Sequence, residues 1–148
     1  MRTIFTHPQI YPLIGDDFAP DPADFCVNEH PAIVYVVVRN ADFRKVALFS
    51  LVPANRICWE LHAVMIPGAK TSDKWAAARQ LVPWLARHTE CKRLTASVPS
   101  CNRPAIVYGT HGIGMKVVGR QSEAFLKHGK LQDLVILGLS VNGAPSII

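Results

Sequence analysis

The sequence has no apolar stretch approaching the ~20 residues needed to cross a bilayer, although 49% of its 148 residues are hydrophobic. It also has no internal repeat and no low-complexity segment. The N-terminus, Met1 to Pro8, lacks the long apolar region of a secretory signal. The apolar content excludes disorder. We therefore expect a single cytoplasmic domain that buries about two-thirds of its unfolded surface.

Cysteines are few, and their spacing excludes the common cysteine-based sites. The four cysteines form no Cys-x-x-Cys pair and no tight cluster with histidine, so no metal site is predicted. Cys58 and Cys91 fall in apolar predicted strands, where buried free thiols are expected. Cys101 has no histidine near it in the sequence, which argues against a cysteine nucleophile.

Acidic residues are scarce beyond the first thirty positions. Residues 1–30 contain one basic and five acidic residues, a balance of −4, whereas the remainder contains 15 basic and 6 acidic residues, a balance of +9. A basic body favours an anionic partner, either nucleic acid or a phosphorylated cofactor. Nucleic acid is the weaker alternative because there is no basic stripe interleaved with aromatic residues and no recognition-helix signature.

The strongest pattern in the sequence is a strand–helix–strand unit. A strand at 57–66 and a loop at 67–71 precede a helix from about Ser72 to His88, and a second strand follows at 91–98. A unit of this size, roughly forty residues, allows two parallel strands to lie side by side. It places the unpaired N–H groups of the helix start at the carboxyl end of the first strand, where a phosphate can bind.

The predicted helix has a good start and one internal conflict. Ser72 is an acceptable N-cap, and Asp73 complements the helix dipole. Pro83 removes a hydrogen bond and costs about 3 kcal/mol inside a helix, so we expect a kink or an early break there. The apolar residues at helical spacing should face the sheet, namely Trp75, Ala78, Leu81, Val82 and Leu85.

The segments before this unit predict an antiparallel meander. Residues 1–5 are expected to form a short edge strand, and residues 7–14 carry a weak helical stripe. Residues 15–31 form a loop, either a mobile flap or a solvated connection. Residues 32–39 and 44–52 form a hairpin that continues into the strand at Ile57.

The segments after this unit close the sheet. A short helix is predicted from Pro104 to Gly112, followed by a strand at 115–118, a turn at 127–130 and a strand at 131–139. The expected fold class is α/β (α+β) with a mixed sheet in one domain, 1–148. Its regions are 1–31, 32–67, 68–98 and 99–148.

From about Ala32 onward the chain resembles the GNAT superfamily of acyl-CoA-dependent N-acetyltransferases. Asn102 to Ala105, followed by Gly112 and Ile113, is similar to the family's Asn-x-x-Ala/Ser with Gly-Phe ten residues after the Asn. Four short motifs more narrowly resemble small GNAT-like proteins encoded by phages and prophages: Asp16-Asp17, Glu60-Leu61-His62, Val98-Pro99 with Asn102-Arg103, and Lys127 to Asp133.

The resemblance implies a mostly antiparallel sheet with a splayed parallel pair and flanking helices. It also implies that acetyl-CoA lies between the strands around residues 62–66 and 94–98. The pantetheine arm would pair with strand backbone, and the pyrophosphate would lie at the start of the long helix. The implied cofactor-binding residues are Val64, Met65, Ile66, Lys70, Thr71, Ser72, Asp73, Lys74 and Asn102.

The predicted pyrophosphate loop departs from the family's Arg/Gln-x-x-Gly-x-Gly/Ala. Lys70 stands at its start, Asp73 replaces the first glycine and Trp75 replaces the second small residue. A carboxylate beside a diphosphate is unfavourable, and a tryptophan prevents close backbone approach. Lys70 and Lys74 partly offset this. The departures motivate an alternative function, a catalytically degenerate GNAT-like phage protein that acts as a binding or assembly factor.

Amine acetylation requires a base for the ammonium and an acid for the departing thiolate. Glu60, His62 and Val64 alternate onto one face of the strand. If this face borders the cleft, the base is Glu60, directly or through water, or His62. The alternative is a strand residue paired with a basic neighbour.

The acid and the pantetheine contact are implied by the resemblance. The family often places a tyrosine seven residues after the Asn, which is Gly109 here. Tyr108, one residue earlier, is a candidate acid or otherwise a core residue. Asn102 is expected to hydrogen-bond the pantetheine arm, to cap the following helix, or to do both.

The leading hypothesis is an N-acetyltransferase that moves an acetyl group from acetyl-CoA to an amine by direct attack. The acceptor is a small molecule or a protein amine. No membrane partner is expected, and the location is the cytoplasm, that of the host if the protein is phage-encoded. Homodimerisation is left open by the sequence.

Overall fold

The computed structural model describes residues 1–142, which are built around one six-stranded sheet. The strands are β1 (Val34–Arg39), β2 (Lys45–Pro53), β3 (Cys58–Met65), β4 (Arg93–Pro99), β5 (Lys116–Lys127) and β6 (Lys130–Ser140). The helices are α1 (Arg2–Phe5), α2 (Tyr11–Ile14), α3 (Thr71–His88) and α4 (Arg103–Val107), with a 3₁₀ turn at Pro22–Asp24 and a π-helical segment at Tyr108–Ile113. The end of the predicted region 99–148 lies outside the described residues.

The strand order is β1-β2-β3-β4-β6-β5, and every neighbouring pair except β3–β4 is antiparallel. The long crossover through α3 joins the two parallel strands, as the strand–helix–strand pattern predicts. The predicted fold class, a mixed and mostly antiparallel sheet with helices beside it, is confirmed. Within residues 1–142 no helix combines the length and apolar character needed to cross a membrane.

The two parallel strands separate soon after they meet. They pair at three positions, from Cys58 opposite Arg93 to Glu60 opposite Thr95. Beyond that point β3 stays paired with β2, and β4 stays paired with β6 as far as Pro99. The sheet therefore divides into two halves that diverge from a short common seam, which is the splay that the resemblance implies.

The face of the sheet toward α3 carries the larger core. Phe49, Leu61 and Leu94 point to this face and are almost completely buried. They pack with the apolar side of α3, whose buried residues are Ala77, Ala78, Leu81 and Leu85. Trp75 and Val82 are only partly buried, so the helix stripe predicted from the sequence is confirmed at its centre and looser at its edges.

The opposite face of the sheet is covered by the N-terminal segment. Leu48 and Val64 alternate onto this face, where they pack with Ile4, Phe5 and Ile10. The expectation of an edge strand at residues 1–5 is wrong, because the segment forms α1 instead. The reason is a set of tertiary hydrogen bonds made by Arg2.

Arg2 fixes the position of α1. Its guanidinium donates to the backbone carbonyls of Pro22 at 2.9 Å, Ala23 at 3.0 Å and Phe25 at 3.2 Å. These bonds hold the first residues against the following loop, whereas an edge strand would take its hydrogen bonds from a neighbouring strand. Residues 21–24 of this loop are exposed, as expected for a solvated connection.

Helix α3 differs from the prediction at its start and at its proline. The N-cap position is Lys70 rather than Ser72, and no side chain caps the helix. Pro83 does not break the helix, which continues to His88. Because Pro83 has no N–H group, the carbonyl of Arg79 has no donor within the helix. Both residues are exposed, so water can solvate that carbonyl.

The C-terminal half contains two further corrections. The strand predicted at 115–118 extends to Lys127 as β5, with register shifts at Val117/Gly119 and at Gln121/Phe125 that obscure its alternation. The short helix predicted from Pro104 to Gly112 consists of α4 and the π-helical segment. The predicted turn and closing strand are found as the β5–β6 hairpin and β6.

Candidate functional site

A cleft of about 850 Å³ opens where β3 and β4 separate. Its walls come from both faces of the sheet. On one face they belong to α3, α4 and the π-helical segment, and on the other to α1, α2 and the loop before β1. The cleft thus passes between the two halves of the sheet.

The α3 side of the cleft ends at an uncapped helix start. The first hydrogen bond of the helix is donated by the Lys74 N–H to the Lys70 carbonyl at 3.0 Å. The N–H groups of Thr71, Ser72 and Asp73 precede it and have no acceptor within the helix. Thr71 and Lys74 line the cleft. An open helix start beside a lysine is a suitable site for an anion.

Asp73 does not place its carboxylate in the cleft. Its Oδ2 accepts a hydrogen bond from Asn40 Nδ2 at 3.2 Å, and the residue lines a separate cavity of about 180 Å³ beside β1. The side chains of Lys70 and Ser72 are exposed outside the cleft lining. The unfavourable carboxylate expected from the sequence is therefore turned away from the helix start.

Trp75 forms a wall of the cleft without filling it. Its ring lies 5.8 Å from the ring of Tyr108, centroid to centroid, at an angle of 33°. It also covers Gly112, where an added Cβ would lie 2.6 Å from Trp75 Cζ3. The glycine is thus required by the tryptophan that replaces the small residue of the usual loop.

Tyr108 joins α3 to the π-helical segment. Its hydroxyl donates to the Lys74 carbonyl at 2.9 Å, and burial raises its pKa above the ordinary value, so the hydroxyl stays protonated. The next residue, Gly109, packs against Leu137, 2.7 Å from where a Cβ would stand. A tyrosine at position 109 would not fit, whereas Tyr108 lines the cleft.

Asn102 caps α4. Its Oδ1 accepts the Ala105 N–H at 3.3 Å, as the sequence predicts. The residue also lines the cleft. Because the cap uses Oδ1, the Nδ2 group is the donor that remains for a bound molecule.

His62 and Glu60 are adjacent on β3, but only one of them faces the cleft. His62 Nε2 lies 3.5 Å from Glu60 Oε1, and both side chains are substantially exposed. His62 lines the cleft, whereas Glu60 lies beside it outside the lining. Within residues 1–142 no group of three or more potential metal ligands is close enough to hold an ion.

The three predicted backbone contacts on β3 are not equivalent. Val64 and Met65 line the cleft. Ile66 does not, and its N–H is donated to the Val46 carbonyl at 2.8 Å. Of these three residues only Met65 turns its backbone groups toward the cleft, because Val64, two residues before Ile66, bonds Leu48 of β2 in the same ladder.

The sequence reading missed the residues on the N-terminal side of the cleft. Ser50 on β2 lies directly opposite His62 and lines the cleft. The sequence feature that could have indicated Ser50 is that it carries the single hydroxyl in the otherwise apolar run from Val46 to Val52. The aromatic and aliphatic wall was also missed, because it is assembled from separate N-terminal segments, namely the two short helices, the loop before β1 and β1 itself: Phe5, Ile10, Leu13, Phe25, Val27 and Tyr35.

No protein-family model matches the sequence, and no curated protein matches it either. Solved structures do match the fold. Spermidine N-acetyltransferase from Vibrio cholerae in complex with CoA and spermine superposes with a TM-score of 0.65 at 18% identity, covering 74% of this chain and 66% of that one. The dodecameric structure of the same Vibrio enzyme in an intermediate state gives a TM-score of 0.63 at 18% identity, covering 74% of this chain and 65% of that one.

A protein classed provisionally as a phosphinothricin N-acetyltransferase gives a TM-score of 0.57 at 20% identity, covering 72% of this chain and 70% of that one. The chain thus spans about two thirds of the length of the Vibrio structures. At these identities the similarity concerns the fold alone, which is that of the GNAT N-acetyltransferases.

Proposed function

We propose that this protein is an acetyl-CoA-dependent N-acetyltransferase that transfers the acetyl group directly to an amine. One observation carries the proposal. The two parallel strands diverge after Glu60 and Thr95, and the cleft between them ends at the uncapped start of α3. The fold similarity to enzymes that acetylate amines, one of them solved with CoA and spermine, supports it.

The residues on the α3 side suit CoA. The free N–H groups of 71–73 would hold the pyrophosphate, with Lys74 adding positive charge. Asn102 Nδ2 and the backbone of Met65 would hold the pantetheine arm. The orientation of Asp73 toward Asn40 removes the main electrostatic objection. When bound, acetyl-CoA supplies the acetyl group as an activated thioester.

The cleft also provides groups for the two proton transfers. His62 would take a proton from the substrate ammonium, so that the nitrogen can form a bond to the acetyl carbon. Glu60, 3.5 Å from His62, would stabilise the charge that His62 acquires. Tyr108 would turn its hydroxyl from the Lys74 carbonyl and give its proton to the sulfur as the carbon–sulfur bond breaks, and the second proton that the nitrogen loses would restore the Tyr108 hydroxyl.

The alternative, a catalytically inactive binding or assembly factor, predicts a shallow or blocked cleft. The cleft is open, and Trp75 forms its wall rather than its plug. No observation favours this alternative. The phage origin and the cytoplasmic location are proposals that rest on the sequence alone, and homodimerisation is likewise untested.

The first test is binding. Acetyl-CoA at 100 times its Kd should stabilise the protein by about 2.7 kcal/mol, which corresponds to a rise in Tm of roughly 5–10 °C. Calorimetry should give one site per chain. No heat and no thermal shift at millimolar cofactor would contradict the proposal.

A backbone variant tests the helix start itself. Thr71→Pro removes one N–H group at a position where proline is tolerated, and the preceding Lys70 already has the extended backbone that proline requires, with ψ of 143°. We expect unchanged folding and weaker CoA binding. Asp73→Asn is the matched control. It should not weaken CoA binding, because it keeps every backbone N–H group of the helix start and removes no positive charge.

A further inference from the structure

Ser50 is a buried polar group without a partner. It retains 6% of its accessible surface, and its Oγ forms no hydrogen bond within the described chain. An unsatisfied buried hydroxyl costs about 1–3 kcal/mol, so a strand position where alanine or valine would pack without this cost needs an explanation. Ser50 lines the cleft, which supplies one, because a bound molecule can satisfy the hydroxyl.

The position of Ser50 specifies which part of that molecule it meets. In the antiparallel β2–β3 pair Ser50 stands directly opposite His62, and side chains opposite each other lie on one face about 4.5–5.5 Å apart at Cβ. An amine nitrogen beside His62 is therefore also within reach of Ser50. The hydroxyl oxygen can accept one of its N–H bonds.

The chamber around these two residues is apolar, and Glu60, whose carboxylate lies 3.5 Å from His62, is outside its lining. Its wall includes Ile10, Leu13, Phe25 and Val27, and an aromatic cluster in which Phe5 and Phe25 lie 5.6 Å apart. Among residues 1–142, none of the residues that line the cleft is aspartate or glutamate. Polycations buried in such a chamber would lose hydration without gaining a counter-charge.

We propose that the acceptor is a primary monoamine with an uncharged apolar body, aromatic or branched aliphatic, and that Ser50 Oγ accepts a hydrogen bond from its nitrogen. The inference rests on the proposed acetyltransferase function and names its substrate class. The apolar body fills the chamber between α1, α2 and the loop before β1. The nitrogen lies between Ser50 and His62.

The experiment measures acetyl transfer to four probes: 2-phenylethylamine, 3-methylbutylamine, putrescine and spermine. We expect kcat/KM to be at least tenfold higher for the two monoamines. Ser50→Ala should lower kcat/KM for 2-phenylethylamine by about 10- to 100-fold, the range for a hydrogen bond to a charged group. It should leave acetyl-CoA affinity unchanged and should raise Tm rather than lower it, because the variant removes the unsatisfied hydroxyl. Ser140→Ala, outside the cleft, is the control.

A gain of function provides the converse test. Leu13 lines the cleft and is 68% exposed, so a polar residue is tolerated there. Leu13→Glu supplies the missing counter-charge and should raise kcat/KM for putrescine and spermine relative to the monoamines.

The outcomes separate this inference from the proposed function. Binding of acetyl-CoA with a preference for spermine, or full monoamine activity in Ser50→Ala, would overturn the substrate class and leave the transferase intact. No binding of acetyl-CoA would overturn the transferase first. If Ser50→Ala lowers Tm, Ser50→Thr keeps the hydroxyl and should retain more activity than Ser50→Ala, whereas equal loss in both would contradict the role.

Discussion

Asp17 accepts the backbone N–H groups of His128 at 2.7 Å and Gly129 at 2.8 Å. These bonds fasten the loop before β1 to the turn of the β5–β6 hairpin. Lys127 reinforces the junction, because its Nζ donates to the carbonyls of Pro12 and Gly15. The junction holds the segment that forms the apolar side of the cleft. It joins two of the four motifs on which the sequence resemblance depends.

The junction should be sensitive to acid. The two backbone hydrogen bonds lower the pKa of Asp17 below its ordinary value of 3.8. Because the folded pKa is depressed, the stabilisation is fully present above pH 3.8 and is lost as pH falls through the lower folded value. Asp17→Asn should lower Tm at neutral pH by a few degrees, and the difference from wild type should vanish in strong acid. Thermal unfolding across pH measures this.

Asp24→Asn is the control for Asp17, because the exposed Asp24 carboxylate shows no hydrogen bond in the described chain. It should leave the whole Tm profile unchanged. An Asp17→Asn profile parallel to that of wild type down to the lowest pH would show that the carboxylate charge contributes nothing.

Gly112→Ala should disturb the wall of the cleft. The added methyl would lie 2.6 Å from Trp75 Cζ3 and 3.2 Å from Ala78 Cβ. Overpacking of this kind costs about 1–3 kcal/mol, and displacement of Trp75 should weaken CoA binding. Denaturant unfolding and calorimetry measure the two effects.

Gly119→Ala provides the comparison for Gly112. A Cβ there would lie 3.9 Å from Ile136, an ordinary contact, so the free energy of unfolding should change by less than about 0.5 kcal/mol. Equal effects of the two substitutions would mean that Gly112 is not the residue that accommodates Trp75.

The base can be assigned by comparing two variants. His62→Ala should lower kcat by about 10²- to 10⁴-fold, the contribution of a positioned general base. Glu60→Gln should have a smaller effect, since Glu60 contacts His62 but does not line the cleft. Steady-state kinetics of the two variants distinguishes the two candidate bases, and an unchanged acetyl-CoA affinity confirms that each variant is still folded. The reverse order would identify Glu60 as the base.

His111→Ala controls for the loss of an imidazole elsewhere. His111 is exposed on the π-helical segment and lies outside the cleft lining. Its substitution should leave kcat unchanged.

Tyr108→Phe should separate stability from catalysis. At neutral pH it removes one hydrogen bond, worth about 1 kcal/mol, and lowers kcat if Tyr108 donates the proton to sulfur. Burial raises the pKa of Tyr108 above its ordinary value of 10, so its contribution is fully present below pH 10. It is lost as pH rises toward the folded pKa. The advantage of wild type in Tm should therefore shrink in strong alkali.

An ultraviolet titration checks the same residue directly. The step that is lost in Tyr108→Phe should lie at a pH well above 10, because burial raises the pKa of Tyr108. A lost step near pH 10 would contradict its burial.

The sequence predicted the elements whose patterns are local. The apolar runs around Val36 and Leu48, the unit that contains α3, and the cap at Asn102 depend on residues close together in the chain, and all are confirmed. The residues at 1–5 and the start of α3 were misjudged. The acceptors of Arg2 lie some twenty residues further along the chain. Nothing in the local sequence indicates that α3 starts before Ser72 and that the Ser72 side chain does not cap it.

The order of apolar and polar residues by itself determined the mixed sheet, the long crossover helix and the common strand face of Glu60 and His62, because each follows from periodicity. Tyr108 and Lys74 became candidates through the family resemblance. Only the tertiary structure decided where those side chains point. It turned Asp73 toward Asn40, brought Ser50 opposite His62, and assembled the apolar chamber from α1, α2 and the loop before β1. Such contacts join residues far apart in the chain, so their geometry depends on the packing of the whole domain.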